Sequence, residues 1–242
     1  MSEEIARNEG QVVMPFYIIC DVSGSMYGDM AALNSGLAQL RQEIMKDPVV
    51  DDLVMLSVIA FNHDARTVVP LTAPTEVSLP QLTAGGGTGY GAAFREFHRA
   101  FEEDKKRLKG EGKRVFRPCI FFLSDGEPGD TDYLRTFDQL FSYDRETKQG
   151  NAAYPYVTTF GFRDATQQTM EAIAYPRSGE ANKRGRWFIA KQGHAVDQLL
   201  KSMAGVIGQS VLKSGQSIGS GTPTFNPPTE VEGMDGGGSF VD

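Results

Sequence analysis

The side chains most able to do chemistry carry oxygen atoms and lie in three separated segments of the chain. These side chains are Asp21, Ser23, Ser25, Thr88 and Asp125. Two carboxylates and three hydroxyls, without histidine or cysteine, form an all-oxygen set that suits a hard cation such as Mg²⁺ or Mn²⁺. Because hydroxyls are neutral, an ion held by them stays short of negative charge and can accept another carboxylate oxygen from a partner protein.

The elements around these segments predict how the side chains meet. Residues 12–20, 52–61 and 119–123 are apolar and rich in β-forming residues, which predicts strands buried on both faces, as in parallel sheets. Apolar side chains then recur at helical spacing within residues 30–44 and 90–108. Strands alternating with helices predict an α/β fold with a doubly wound, mostly parallel central sheet flanked by helices. In such a fold the loops after the strands converge on one edge of the sheet, where ligands bind.

Composition excludes several classes of function. The chain has 242 residues and a net charge of −7, which argues against broad, phosphate-driven binding to nucleic acid. Its two cysteines rule out a disulfide framework. The longest apolar run, residues 12–20, is far shorter than the ~20 residues that a membrane-spanning helix needs. The amino-terminal residues also lack the apolar core of a signal peptide. We therefore expect a cytoplasmic protein that binds neither nucleic acid nor membrane.

The domain organisation follows from a change of composition near the carboxyl end. Residues 1–11 are expected to form an N-terminal extension, and residues 12–213 one domain. From residue 214 onward glycine, serine, threonine and proline dominate. Because this stretch offers too little apolar surface to offset the entropy of ordering it, residues 214–242 are predicted to be a disordered Gly/Ser/Pro-rich tail.

The oxygen-bearing segments also carry a family resemblance. The sequences DVSGS at residues 21–25, GGT at 86–88 and LSDGE at 123–127 resemble the metal-ion-dependent adhesion site of von Willebrand factor A domains. The resemblance covers residues 12–209 and implies a Rossmann-like sheet with a divalent cation at its top edge. In that arrangement the hydroxyls of Ser23, Ser25 and Thr88 would bind the ion. The carboxylates of Asp21 and Asp125 would bind it directly or through water.

A narrower resemblance concerns bacterial TerY-like proteins, which belong to tellurite-resistance and stress-response systems. It is carried by residues 54–72 (VMLSVIAFNHDARTVVPLT) and 121–130 (FFLSDGEPGD). In that subgroup the domain is often associated with a kinase and a phosphatase. The resemblance therefore implies a partner from the same system, which would be one of these two enzymes.

The function expected from these observations is a divalent-metal-dependent protein-interaction module and not an enzyme. A partner protein would supply an Asp or Glu carboxylate that completes the coordination of Mg²⁺ or Mn²⁺. Neighbouring loops would recognise the shape of the partner. The candidate contact residues on these loops are Met26, Tyr27, His63, Tyr90 and Glu127.

Two alternatives remain open at the level of sequence. The first is a Mg²⁺-dependent phosphatase or other hydrolase with Asp21 as nucleophile. Haloacid-dehalogenase-like phosphatases need a second Asp two residues later as acid and base, and Ser23 occupies that position here. The second alternative is a structural domain in which the metal site is vestigial.

Overall fold

The structure is a computed structural model that describes residues 10–144, 146–176 and 185–238. The strands in these residues are β1 (Val12–Asp21), β2 (Val54–Phe61), β3 (Ala65–Thr72), β4 (Arg114–Val115), β5 (Cys119–Ser124), β6 (Tyr156–Gly161), β7 (Arg186–Ala190) and β8 (Met234–Gly237). The helices are α1 (Met30–Ile44), α2 (Pro48–Asp51), α3 (Tyr90–Gly110), α4 (Tyr133–Phe141), α5 (Gln167–Ile173) and α6 (Val196–Gly219). Short 3₁₀ helices cover Gly24–Asp29 and Pro74–Glu76. No helix among these elements is both long and apolar enough to cross a membrane.

The predicted α/β architecture is confirmed. The strands form one sheet in the order β3-β2-β1-β5-β6-β7-β8, with the two-residue β4 paired to the start of β1. The five inner strands of this order run parallel, while the edge strands β3 and β8 pair antiparallel to their neighbours. Buried side chains of α1 and α6 cover one face of the sheet. Those of α3, α4 and α5 cover the other face.

Strand β1 lies at the centre of the sheet and sets the position of the oxygen-bearing loops. Its residues from Val13 to Asp21 are buried, which explains the continuous apolar run in the sequence. Asp21 lies opposite Phe61 at the end of β2, and Cys20 lies opposite Leu123 near the end of β5. The carboxyl ends of three neighbouring parallel strands therefore meet at one edge of the sheet.

The predicted disordered tail is wrong for residues 214–238. Helix α6 continues to Gly219, so the domain end expected at residue 213 falls inside a helix. Beyond α6 the chain returns along the sheet, and β8 pairs with β7 as an antiparallel edge strand. Residues 239–242, like residues 1–9 of the predicted N-terminal extension, lie outside the described residues.

Two physical features order this carboxyl-terminal segment. Its few apolar side chains are concentrated where they can be buried, and Phe225, which is 1% exposed, packs on Tyr156 with ring centroids 5.1 Å apart. Serine hydroxyls of α6 bind its backbone. Ser217 Oγ accepts a hydrogen bond from the backbone N–H of Thr224 (2.8 Å), and Ser214 Oγ accepts one from that of Asn226 (2.9 Å). The segment therefore satisfies both requirements of a folded chain, apolar burial and paired backbone groups.

The opposite edge of the sheet is held by a carboxylate on α3. Glu96 accepts hydrogen bonds from the backbone N–H and the hydroxyl of Thr67 on β3 (2.9 and 2.7 Å). The Arg99 guanidinium also donates two hydrogen bonds to it (2.8 and 2.7 Å). The bonds from Arg99, reinforced by those from Thr67, lower the pKa of Glu96 from its ordinary 4.5 to about 2. The ionised Glu96 therefore ties the edge strand to the helix that follows the Thr88 loop.

The burial of Phe225 predicts a large loss of stability in Phe225→Ala. Removing a fully buried aromatic side chain should lower the free energy of unfolding by about 3–5 kcal/mol, measured by urea denaturation. Thr222→Ala, in the same segment but exposed, is the matched control and should change it by less than about 0.5 kcal/mol. Equal and small effects of both substitutions would show that the segment is not packed on the sheet.

The low pKa of Glu96 predicts a pH-dependent difference between the wild-type chain and Glu96→Gln. Because the folded-state pKa lies below the unfolded value, the stabilisation is full above pH ~4.5 and is lost as the pH falls toward 2. At pH 7 the variant should be less stable by about 1–2 kcal/mol. The difference should shrink through that acid window in urea titrations. Glu103→Gln, which removes an exposed carboxylate bonded to Arg99, should show little difference at any pH.

Candidate metal centre

Backbone hydrogen bonds bring the three oxygen-bearing loops together. The N–H of Gly24 donates to the carbonyl of Gly86 (2.9 Å), and the N–H of Gly85 donates to the carbonyl of Val22 (2.9 Å). The carbonyl of Thr88 accepts a hydrogen bond from the N–H of Gly129 (2.7 Å). The loop after β1 is thus fastened to the glycine-rich loop, which is fastened in turn to the loop after β5. The convergence expected from the sequence is present in the structure.

A continuous set of side-chain hydrogen bonds links the carboxylates and the serines. Asp21 Oδ1 accepts from the backbone N–H of Ser23 (2.8 Å), and Asp21 Oδ2 accepts from the hydroxyl of Ser124 (2.6 Å). Ser25 Oγ donates to Asp125 Oδ1 (2.8 Å) and lies 3.0 Å from Ser23 Oγ. Asp21, Ser23 and Asp125 are buried, whereas Ser25 is exposed. The set therefore runs from beneath the loops to the protein surface.

One carboxylate oxygen in this set lacks a partner. Asp125 Oδ2 is buried and accepts no hydrogen bond within the described residues. An unpaired buried oxygen of a carboxylate costs free energy unless a cation or a donor reaches it. It belongs to the same carboxylate whose other oxygen, Oδ1, accepts the hydrogen bond from Ser25.

The donor set fits a hard divalent cation. Across the described ranges 10–144, 146–176 and 185–238, no cluster of three or more His, Cys, Asp or Glu side chains is arranged to hold a metal ion. An ion in this place would therefore need serine and threonine hydroxyls beside Asp21 and Asp125. Such a mixture of carboxylate and hydroxyl oxygens suits Mg²⁺ or Mn²⁺ and excludes the sulfur and nitrogen ligation that softer metals prefer.

Burial sets the electrostatics of the two aspartates. Desolvation raises the pKa of Asp21, and the hydrogen bonds from Ser124 and Ser23 partly oppose the rise. Desolvation also raises the pKa of Asp125, against which the Ser25 hydrogen bond and the positive charge of Arg163 act. Both carboxylates therefore lie in a place where additional positive charge is favourable.

Two of the predicted partner contacts need correction. Met26 is 1% exposed and Tyr90 is 0% exposed, so neither side chain forms part of the surface. The hydroxyl of Tyr90 donates to the carbonyl of Gly126 (2.8 Å) from below the loop. Met26 belongs to the hydrophobic core on the face of the sheet that α1 and α6 cover. Both residues support the loops and are not placed to touch a partner.

The other three predicted contacts lie at the surface in different ways. The side chain of Tyr27 is 84% exposed, and that of His63 is 66% exposed. Glu127 is also exposed, but its carboxylate accepts hydrogen bonds from the backbone N–H of Thr166 (2.8 Å) and the hydroxyl of Thr169 (2.5 Å). Glu127 therefore holds the amino-terminal end of α5 in place. Tyr27 and His63 remain free to contact a partner.

Sequence reasoning missed several residues that shape the site. Ser124 holds Asp21, and its place in the LSDGE motif next to Asp125 was the available signal. Asp130 accepts hydrogen bonds from the first two backbone N–H groups of α3 (3.0 and 2.7 Å) and so orients the helix after Thr88. Asp29 pairs with Arg163, which lies more than a hundred residues away. Nothing in the sequence pattern indicates that ion pair.

Gly86 adopts a backbone conformation that other residues rarely take. Its φ is +79°, in the left-handed region that favours glycine. A Cβ at this position would lie 2.3 Å from Nδ1 of His63. The carbonyl of Gly86 accepts the hydrogen bond that fixes the loop after β1. The glycine-rich segment therefore owes its shape to this residue, two positions before Thr88.

Residues 16–127, slightly less than half of the chain, match the family model of the von Willebrand factor type A domain. This match includes all five oxygen-bearing residues predicted to bind metal. No curated protein is similar enough in sequence to match the chain. Over these residues the chain is therefore similar to von Willebrand factor type A domains.

Solved structures share the fold at low sequence identity. The von Willebrand factor type A protein from Catenulispora acidiphila has a TM-score of 0.53 and 18% identity, over 84% of this chain and 43% of that one. The manganese-loaded TRAP protein of Plasmodium vivax has a TM-score of 0.52 and 15% identity, over 83% of this chain and 73% of that one. The pilus adhesin SpaC from Lactobacillus rhamnosus GG has a TM-score of 0.52 and 14% identity, over 84% of this chain and 31% of that one. The chain thus spans less than half of the Catenulispora protein, and the likeness shows the fold alone.

The conformation of Gly86 predicts that Gly86→Ala is destabilising. Forcing an L-residue into the left-handed region should lower the free energy of unfolding by about 1–2 kcal/mol in urea titrations. Gly87→Ala is the matched control because its φ lies outside the left-handed region and a Cβ there meets no atom within 4 Å. The cost should persist in a His63→Ala background, since the strain lies in the backbone. A cost that disappears with His63 would assign the effect to the side-chain contact instead.

Proposed function

We propose that this chain is a divalent-metal-dependent protein-interaction module. Asp21, Ser23, Ser25, Thr88 and Asp125 would hold Mg²⁺ or Mn²⁺, and a partner protein would supply an Asp or Glu carboxylate. The observation that carries the proposal is the buried Oδ2 of Asp125, which accepts no hydrogen bond within the described residues although Ser25 binds the other oxygen of the same carboxylate. The manganese in the structure of the TRAP protein, which shares the fold, supports the choice of a divalent cation.

The residues of the site would have different roles in binding the ion and the partner. When bound, the ion supplies a Lewis-acidic position that can accept a carboxylate oxygen of the partner. Ser124 and the backbone of Ser23 hold Asp21 in one orientation before any ion arrives. Ser25 is the exposed member of the set, so it marks the side from which a partner approaches. Tyr27, two residues further along, offers that partner a large exposed aromatic surface.

The identity of the partner and the setting rest on the sequence resemblance. The TerY-like segments favour a kinase or phosphatase of a bacterial tellurite-resistance or stress-response system as the partner, in the cytoplasm. The solved structures that share the fold include an adhesin of a pilus, so binding to another protein is compatible with this architecture. A pull-down from bacterial lysate in Mg²⁺ and in chelator, read by mass spectrometry, would identify the metal-dependent partner.

Catalysis by Asp21 is the rival function. Both oxygens of Asp21 already accept hydrogen bonds, and Ser23 stands where the acid and base of the comparable phosphatases would stand. We therefore propose binding without catalysis. Turnover of a phosphoester by the purified chain that is lost in Asp21→Asn would reverse this choice.

The proposal predicts metal binding that depends on Asp125. Titration calorimetry of the chain with MgCl₂ and MnCl₂ should show one site, and Asp125→Ala should abolish it. Saturating metal should also stabilise the wild-type fold, by about 2.7 kcal/mol when the free ion is a hundred times its Kd. The variant should gain no stability, although it should fold, since it loses a buried carboxylate with an unpartnered oxygen.

The control for this prediction is Asp132→Ala. Asp132 lies in the same loop, and its carboxylate is half-exposed beside Arg135. This substitution removes the same charge but should leave metal binding unchanged. If the wild-type chain bound neither ion in these titrations, the proposal would be wrong. The result would support the alternative of a structural domain with a vestigial site.

A further inference from the structure

A cavity is lined in part by the loops that form the candidate metal centre. Its volume is about 380 Å³, enough for roughly a dozen water molecules at ~30 Å³ each, and therefore large enough for an amino-acid side chain. The floor is apolar and includes Val22 and Ala60, which are 6% and 3% exposed. The rim is polar and is formed by the loop between β2 and β3 and by residues 83–85. An apolar floor with a polar rim is typical of a binding pocket.

Backbone and side-chain contacts connect this cavity to the metal-centre loops. Val22, in its floor, lies between Asp21 and Ser23, and its carbonyl accepts the hydrogen bond from Gly85. The side-chain amide of Asn62 donates to the carbonyl of Gly85 (2.7 Å). The cavity and the candidate metal centre therefore share the glycine-rich loop as a common wall.

A single guanidinium on the rim can bind an acidic ligand. Three charged or titratable side chains line it, namely His63, Asp64 and Arg66. Asp64 lies beside His63, with 3.3 Å between its Oδ2 and Nε2 of the imidazole. Arg66 is exposed and forms no ion pair within the part of the chain that the structure describes. The hydroxyl-bearing Thr83 completes this side of the rim. The cavity thus offers a free guanidinium, which binds carboxylates through directed hydrogen bonds.

We propose that this cavity receives a second acidic side chain of the same partner segment, with Arg66 as its recognition residue. The inference rests on the proposed function, because the first acidic side chain would bind the metal. It makes the partner segment a doubly acidic one, in which the two carboxylates are separated by a fixed spacing. The metal provides affinity for any exposed carboxylate, and the cavity selects among the proteins that carry one.

Selection from a displayed peptide library tests this inference. Each peptide carries one fixed Asp with randomised residues around it, is bound to the full chain in Mg²⁺ or Mn²⁺, and is eluted with chelator. We expect the eluted peptides to share a second Asp or Glu at one spacing. Their affinity for Arg66→Gln should fall about tenfold to a hundredfold, the loss expected for one hydrogen bond between charged groups. Thr83→Trp, which fills the cavity from its exposed rim, should weaken binding as well.

Lys201→Gln removes the same charge from an exposed position on α6 and should bind these peptides as the wild-type chain does. Chelator-eluted peptides with only the fixed Asp, or with Lys or Arg at the second position, would overturn the inference while leaving the metal-dependent module intact. Equal affinity of all variants for a doubly acidic peptide would overturn it too. An absence of any chelator-eluted peptide would instead contradict the proposed function, and the inference with it.

Discussion

Two carboxylates buried at the carboxyl ends of neighbouring parallel strands are the constraint on which the rest of this site depends. Burial of Asp21 and Asp125 penalises their charge and raises the pKa of both. Three of the four carboxylate oxygens accept hydrogen bonds. The donors are the hydroxyls of Ser124 and Ser25 and the backbone N–H of Ser23. The fourth oxygen, Oδ2 of Asp125, accepts no hydrogen bond within the described residues. A cation is the simplest group that could pair with this oxygen without breaking the hydrogen bonds already made.

Hydrogen bonds between backbone groups hold the loops that carry these side chains together. Gly24 and Gly85 donate hydrogen bonds across loops, and Gly86 takes the left-handed conformation that lets its carbonyl accept one of them. The site is therefore formed before a ligand arrives, which reduces the ordering cost of binding. The same glycine-rich loop forms a wall of the cavity that Arg66 lines. The proposed metal binding and the proposed selection of a partner would thus depend on the same loop.

The sequence predicts the sheet and the convergence of the loops because buried parallel strands leave long apolar runs and loops at their carboxyl ends must meet. It does not predict whether a given side chain points into the core or toward solvent, or which residues far apart in sequence contact each other. Tyr90 was expected at the surface because it follows the Thr88 loop, yet it opens the apolar stripe of α3 that continues with Phe94, and this period places it inside. The average composition of residues 214–242 predicts disorder. An average over the segment does not show that one aromatic residue, Phe225, is buried. It also does not show that serines of α6 accept hydrogen bonds from the backbone on either side of Phe225.

That carboxyl-terminal segment also restrains the helix layer beneath the site. Helix α1 begins where the loop after β1 ends, and it packs so closely on α6 that a Cβ on Gly36 would lie 3.4 Å from the carbonyl of Leu200. Further along α6, Ser214 and Ser217 are bonded to the returning chain, which is anchored by Phe225 and by β8. Any sliding of α6 along its axis must break these bonds and unpack the aromatic ring. The segment predicted to be disordered from its composition is therefore bonded to the helix layer that supports the loops of the candidate metal centre.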